Sequence, residues 1–265
     1  MATIQNVKID RSKLNFYMKS VQSTVFKTLI DACKEIVADA NLIFDKKGLL
    51  IKTVDESYNA MIYLRLNGNK FEEYYCKDIS YTCGIALLNM HKLLKTMSSS
   101  DVLTIYQYEE NPNRLELIIE NNKKAKMSKF KLHLLDLQKP KIKSFQPEFE
   151  HAISIDSSEF HKIIREMKDI SNKIDIQCYG KTLRFKSVDG LFADGEILLA
   201  IKEEKDANIV VQGIFDLKFL STFTKCTPLS KSVHLYLKND FPLIVQYDVN
   251  DLGHIQLVLM MEQEQ

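Results

Sequence analysis

Apolar residues recur through STVFKTLIDACKEI (residues 23–36) at helical spacing, with Phe26, Leu29, Ile30, Cys33 and Ile36 on one side and Val37 just beyond. The stretch SSEFHKIIREMKDI (residues 157–170) repeats the arrangement with Phe160, Ile163, Ile164 and Met167. Apolar positions at i, i+3, i+4 and i+7 predict an amphipathic helix with one face on a sheet. The two stretches also match each other at an offset of 134, through Ser23/Ser157, Phe26/Phe160, Ile30/Ile164, Lys34/Lys168 and Ile36/Ile170. The same offset carries Lys52, Thr53, Val54 and Asp55 onto Lys186, Ser187, Val188 and Asp189. A self-match at half the chain length predicts two copies of one module. Off the apolar stripe sit Lys27 and Lys34 in the first copy and Lys162 and Arg165 in the second.

Short apolar runs bounded by turn residues fill the rest of each half. In the first half they are residues 41–44, 49–54, 60–66, 72–76, 80–85, 102–108, 115–120 and 128–135, with a helix expected over 87–97. Phe130, Leu132 and Leu134 alternate with Lys129, Lys131 and His133, as in a strand with one buried face. In the second half the runs are 174–179, 182–188, 196–202, 208–213, 232–238, 242–249 and 254–260, with a helix over 215–226 that stops before Pro228. Residues 1–16 predict at most one short strand. Residues 135–147, LDLQKPKIKSFQP, break the pattern with two prolines and with Lys139, Lys141 and Lys143. They read as an extended crossing, either a plain tether or a segment laid on a surface through Leu135, Leu137, Ile142 and Phe145. The fold class that follows is α+β, with largely antiparallel sheets and helices on one side. The expected domains are 1–134 and 148–265, joined by 135–147.

Composition narrows the function classes. Apolar content of 45% supports a packed core, and 36 Lys and Arg against 35 Asp and Glu leave a net charge of +1. Bulk charge therefore does not announce a nucleic-acid binder, and any such role must rest on where the charges lie. Five cysteines without a C-x-x-C pair suit buried thiols in a reducing compartment. No apolar run reaches the length of a membrane span, and the start carries no apolar signal core, so a soluble intracellular chain is expected.

The motifs of common enzyme classes are missing. There is no glycine-rich phosphate loop, no H-E-x-x-H and no G-x-S-x-G, and glycine numbers only eight. The six histidines are scattered, none at metal-ligand spacing from a cysteine or aspartate. Asp55, Glu56 and Asp189 lie in turn sequences repeated in both halves, where turn chemistry explains them better than paired catalytic carboxylates. No enzyme, metal or cofactor is expected.

Several stretches carry a more specific signal. Residues 239–247, NDFPLIVQY, followed by 251–255, DLGHI, closely resemble the eukaryotic sliding clamp family, proliferating cell nuclear antigen. So do 223–230, FTKCTPLS, 134–137, LLDL, and 90–95, MHKLLK. The resemblance runs from about residue 17 to 261 in one order, leaving the first dozen residues as an addition. It implies two similar clamp domains per protomer, antiparallel sheets outside, four helices on the inner face, and a homotrimeric ring around duplex DNA. By motif match the DNA-facing cations are Lys27, Lys34, Lys92, Lys95, Lys162, Arg165, Lys218 and Lys225. On one helix alone such residues would read as a solvated face; four helices with the same stripe argue for the lining. Mostly lysine, they suit mobile, sequence-independent phosphate contacts that let a ring slide.

The resemblance further implies a hydrophobic pocket for Q-x-x-apolar-x-x-aromatic-aromatic peptides of polymerases, flap nucleases and ligases, with a clamp loader as another partner. It would involve Val54, Tyr58, Ile142, Pro242, Val258, Leu259, Met260 and Met261. Relatives tend to end this region Tyr-Leu-Ala-Pro, where this chain has Val258-Leu259-Met260-Met261. Ring closure would pair the edge strand at 115–121, through Leu117 and Ile119, with that at 195–201, through Ile197 and Leu199. The basic crossing segment and the near-neutral balance both depart from the acidic habit of eukaryotic relatives, as a divergent or viral replication system would. The expected setting is the nucleus or a viral replication compartment. Two other readings stay open: a checkpoint-type or monomeric clamp-fold factor, and an interaction scaffold that encircles no DNA.

Overall fold

The computed structural model describes residues 9–121, 123–138, 152–202 and 209–262. The chain divides into two compact units. The first gathers Met1–Thr53, Leu64–Pro140 and Asp251–Gly253; the second gathers Val54–Tyr63, Lys141–Asn250 and His254–Gln265. Residues 139–147 of the expected crossing segment lie outside the described residues, Ile142 among them.

In the first half, β1 (Leu14–Ser20) leads into α1 (Ser23–Lys34), followed by β2 (Asp39–Asp45), β3 (Gly48–Val54), β4 (Ala60–Asn67), β5 (Glu73–Cys76) and β6 (Ser80–Ala86). Then come α2 (Leu87–Leu94), β7 (Val102–Tyr108), β8 (Arg114–Asn121) and β9 (Lys126–His133). The second half runs β10 (Ile153–Asp156), α3 (Ser157–Ile170), β11 (Lys173–Tyr179), β12 (Thr182–Val188), β13 (Glu196–Ala200) and β14 (Val211–Asp216). It continues through α4 (Leu217–Phe223), β15 (Ser232–Tyr236), β16 (Leu243–Val249) and β17 (Gly253–Leu259).

The offset of 134 carries β2 onto β11 and β3 onto β12 residue for residue, and the sheet order repeats with it. One sheet of the first unit is ordered β5-β1-β7-β8-β9, and the second unit places β10-β15-β16-β17 in the same succession. The order β4-β3-β2-β6 likewise recurs as β13-β12-β11-β14. Among the described residues only β5 has no counterpart. β17 runs beside β4, and residues 254–259 of the one and 60–63 of the other belong to the second unit.

Helix burial follows the sequence pattern. Phe26, Leu29, Ile30 and Cys33 of α1 are buried, as are Phe160, Ile163, Ile164 and Met167 of α3. α1 packs beside α2, and α3 beside α4. The carboxylate of Asp156 caps α3 by accepting from the Ser158 and Glu159 amides at 2.9 and 3.0 Å, and Asp216 caps α4 through the Lys218 amide at 2.6 Å. Three boundaries differ from expectation. β1 reaches Ser20 and is buried along nearly its whole length, because strands flank it on both sides. α2 ends at Leu94, although Met97 remains buried. α4 tightens at Thr224 into a 3-10 turn running to Leu229, with Pro228 inside it. Proline lacks the amide that a longer α-helix would have needed there.

All five cysteines are buried, and burial pushes the Cys33 and Cys83 thiols up to about 12. Asp55 behaves as a turn residue, its carboxylate accepting from the Ser57 and Ala60 amides at 3.1 and 2.6 Å. Among the described residues no three His, Cys, Asp or Glu side chains could hold a metal ion, and no helix is long and apolar enough to cross a membrane.

The β2–β3 turn is pinned by one carboxylate. Asp45 accepts from the Lys47 and Gly48 amides at 2.7 and 3.0 Å and takes a two-pronged contact from Arg65 at 2.7 and 2.9 Å. Gly48 sits at φ +134°, and a Cβ there would lie 2.1 Å from the Leu66 carbonyl oxygen. Burial works to raise the Asp45 carboxyl, but Arg65 and the two amides outweigh it, so the net direction is down. A depressed carboxyl stabilises the fold fully above its unfolded value of about 3.9 and loses that contribution as pH falls through the folded value. Arg65→Ala is expected to cost about 1–3 kcal/mol at neutral pH, measured by urea unfolding. The deficit against wild type should shrink below about pH 4.

Candidate nucleic-acid interface, sheet edges and docking cleft

The eight cations expected to face DNA lie on or just beyond the four described helices. Lys92, Lys95, Lys162, Arg165, Lys218 and Lys225 are exposed, and Lys27 is half-buried. Lys34 differs: its side chain is 13% exposed, 3.0 Å from Asp31 and in contact with Glu35. The Glu35 hydrogen bond, with Asp31 assisting, holds the Lys34 ammonium above its ordinary range. Asp31 also lies 3.2 Å from His91 Nε2, linking α1 to α2. The Lys34 charge is therefore largely compensated within the protein, whereas the lysines of α2 project from it. Sequence spacing could show that Lys34 left the apolar stripe but not which carboxylates it would meet.

The sheet edges require a correction. β8 was expected to be an edge strand, yet it is hydrogen-bonded to β7 along one flank and to β9 along the other. Its backbone groups are spent on both sides, and Leu117 and Ile119 are buried. The outer strand is β9, which carries Lys126, Lys129, Lys131 and His133 on its exposed positions. In the second unit β13 is an edge, paired only with β12 among the described residues. Ile197 and Leu199 on it are half-buried, and Leu198 between them is 59% exposed.

The residues expected to form a docking pocket separate into two groups. Pro242, Met260 and Met261 line an open cleft of about 710 Å³ within the second unit. Val258 and Leu259 instead lie inside the sheet, Leu259 at 1% exposure, and do not line it. Residues Val54 and Tyr58 are also not among its lining residues; Val54 is half-buried at the end of β3, and Tyr58 is 72% exposed at φ +60°. β17 lies between β16 and β4, and its last residues are covered on both faces, whereas Met260 just beyond its end is 49% exposed.

Other walls of the cleft were not anticipated. Gly213 and Ile214 of β14, Phe241 in the β15–β16 turn, and the polar Asp175, Asp240 and Glu262 complete most of it. A Cβ on Gly213 would come 2.6 Å from the Phe215 ring and 3.4 Å from the Met261 methyl group. A glycine inside a strand signals such close approach, so this part was recoverable from the sequence. The Asn239 side chain fixes the turn to β14, accepting from the Gln212 amide at 2.8 Å and donating to the Val210 carbonyl at 3.0 Å. Lys238 lies over the Phe241 ring at 4.5 Å.

Comparison with known proteins agrees across nearly the whole chain. Residues 15–141 match the family model of the proliferating cell nuclear antigen N-terminal domain, and residues 143–262 match that of its C-terminal domain. The probable DNA polymerase sliding clamp 1 of Paramecium bursaria Chlorella virus 1 is 30% identical over 258 residues, covering 95% of this chain and 98% of that protein. Proliferating cell nuclear antigen 2 of Drosophila melanogaster is 32% identical over 242 residues, covering 90% of this chain and 94% of that protein.

The burial contrast at the end of β17 is testable by urea unfolding. Leu259→Asp is expected to lose about 4 kcal/mol or more, because it places a charge in a packed sheet. Met260→Asp, at a position 49% exposed, should stay within about 0.5 kcal/mol of wild type.

Proposed function

The chain belongs to the proliferating cell nuclear antigen family, and on that premise we propose that three copies close head to tail into a ring around duplex DNA. It is a DNA polymerase processivity factor, a sliding clamp, in a family whose role is non-catalytic. DNA, polymerase-associated proteins and further copies of the chain are its partners in that role.

The observation that carries ring closure is the repeated strand order with two unlike edges left over. β17 and β4 are sheet neighbours. Their counterparts in the repeat, β9 and β13, are edges of two other sheets. Pairing β9 of one copy with β13 of the next reproduces an adjacency the chain already makes. Because the two edges differ, the contact is heterologous, which excludes a two-fold dimer and gives a ring when the rotation between copies closes. The helix cations then face the duplex, and topology rather than tight binding retains the ring.

The cleft beside Met260 and Met261 receives short peptides with apolar and aromatic anchors, carried by polymerases and by flap nucleases and ligases. The chain acts wherever its polymerase does, in the nucleus or in a viral replication compartment. Both settings suit relatives from a fly and a virus.

Solution mass tests the ring. Wild type is expected at three times 30.7 kDa. Leu198→Asp on β13 should give folded single protomers, whereas Leu117→Asp in the interior strand β8 should unfold the chain. A wild-type protein that runs as one protomer at micromolar concentration, or a trimer indifferent to Leu198→Asp, rejects β9–β13 closure. For the DNA face, combined Lys92→Glu, Lys95→Glu and Lys225→Glu is expected to lower retention on circular primed DNA with the trimer intact. The salt dependence of that retention should become shallower, as fewer phosphates are neutralised. Unchanged retention rejects the lining.

A further inference from the structure

We propose that the Met260–Met261 pair is an oxidation-sensitive site, where oxygen transfer from a peroxide to the thioether sulfurs closes the cleft to apolar peptides. This rests on the docking reading above. Eight methionines lie among the described residues, and their surroundings differ sharply. Met18, Met90, Met97 and Met167 are buried, Met61 and Met127 are half-buried, and Met260 is 49% exposed at the lip of the cleft. Met261 lies half-buried in its wall, with its methyl group over the bare backbone of Gly213. The thiols that would compete for peroxide are all buried.

The backbone beneath the two sulfurs is held in place. The Met260 amide donates to the Asn59 carbonyl at 2.8 Å, the Glu262 amide donates to the Ile214 carbonyl at 2.9 Å, and Glu262 pairs with Lys173 at 3.1 Å. The side chains can repack around a ligand, but the segment cannot withdraw them from the cleft. An unoxidised thioether offers a soft apolar contact to an aromatic ring. In the oxidation step a sulfur lone pair attacks one peroxide oxygen. The O–O bond breaks as the S–O bond forms, and water leaves after proton transfer. Sulfur loses two electrons and peroxide gains them; a methionine sulfoxide reductase reverses the change using thiol electrons. The new S=O group is a strong acceptor in a cleft that Asp175 and Asp240 also line, and an apolar anchor would have to desolvate it.

The test treats the full-length protein with graded hydrogen peroxide. Peptide mass spectrometry reads sulfoxide at each methionine, and fluorescence polarisation reads binding of a labelled Q-x-x-apolar-x-x-aromatic-aromatic peptide. Met260 and Met261 should oxidise before the buried methionines. Affinity should fall about tenfold or more as they do, and return after reductase treatment. The Met260→Leu, Met261→Leu variant should show no peroxide-dependent change relative to its own untreated state. Full affinity with both sulfurs oxidised, an equal loss in the leucine variant, or prior oxidation of Met18 or Met90 overturns the inference. Failure of the untreated wild type to bind the peptide rejects the docking reading itself, and the inference with it.

Discussion

Each helix can bury only one stripe, and the protein spends that stripe on its own sheets. Phe26, Leu29 and Ile30 in α1, and Phe160, Ile163 and Ile164 in α3, are removed from water, each burial contributing about 1.5–3 kcal/mol. The opposite face cannot also be apolar without inviting aggregation, so it is polar by necessity. What remains selectable is the sign of that polar face. Most of the cations sit there with exposed ammonium groups, and Lys34 shows that the same face can also compensate its own charge through Asp31 and Glu35. A net charge near zero does not by itself exclude a positive lining, although exposed Glu166 and Asp169 on α3 dilute the charge of Lys162 and Arg165.

Duplication supplies the second constraint. Two copies of a strand order leave two copies of each edge. One pair of edges is satisfied where β17 runs beside β4, and among the described residues the counterparts β9 and β13 retain open flanks. An unpaired ladder is a liability unless it is charged, covered or paired. β9 carries lysines along its length, a common way to keep such an edge soluble until its proper partner arrives. Assembly, in this account, completes a sheet that the single chain leaves unfinished.

Much of this was legible in the sequence because periodicity reports burial directly. The helices at 23–36 and 157–170, the offset of 134 and most strands reappear in the structure within a few residues. Four features were not legible, each for a physical reason. Hydrophobic alternation marks β8 and β9 alike as strands but says nothing of which lies outermost, since sheet order is set by non-local pairing. Leu259 and Met260 look equivalent in a terminal apolar run, yet one ends a buried strand and the other emerges from it. The engagement of Lys34 depends on side-chain geometry within α1. Pro228 was read as a stop, whereas the chain tightened into a 3-10 turn that accommodates a residue without an amide.

The buried thiols have a practical consequence for anyone who would follow this protein in motion. With Cys33 and Cys83 pushed up to about 12 and all five sulfurs enclosed, the native chain presents little thiolate to an alkylating dye. A single cysteine introduced at an exposed turn position such as Glu110, between β7 and β8 and off the β9 edge, would then take a maleimide fluorophore selectively, without a cysteine-free background. The opening and closing of neighbouring copies could be watched through energy transfer between identical labels on an otherwise unaltered molecule.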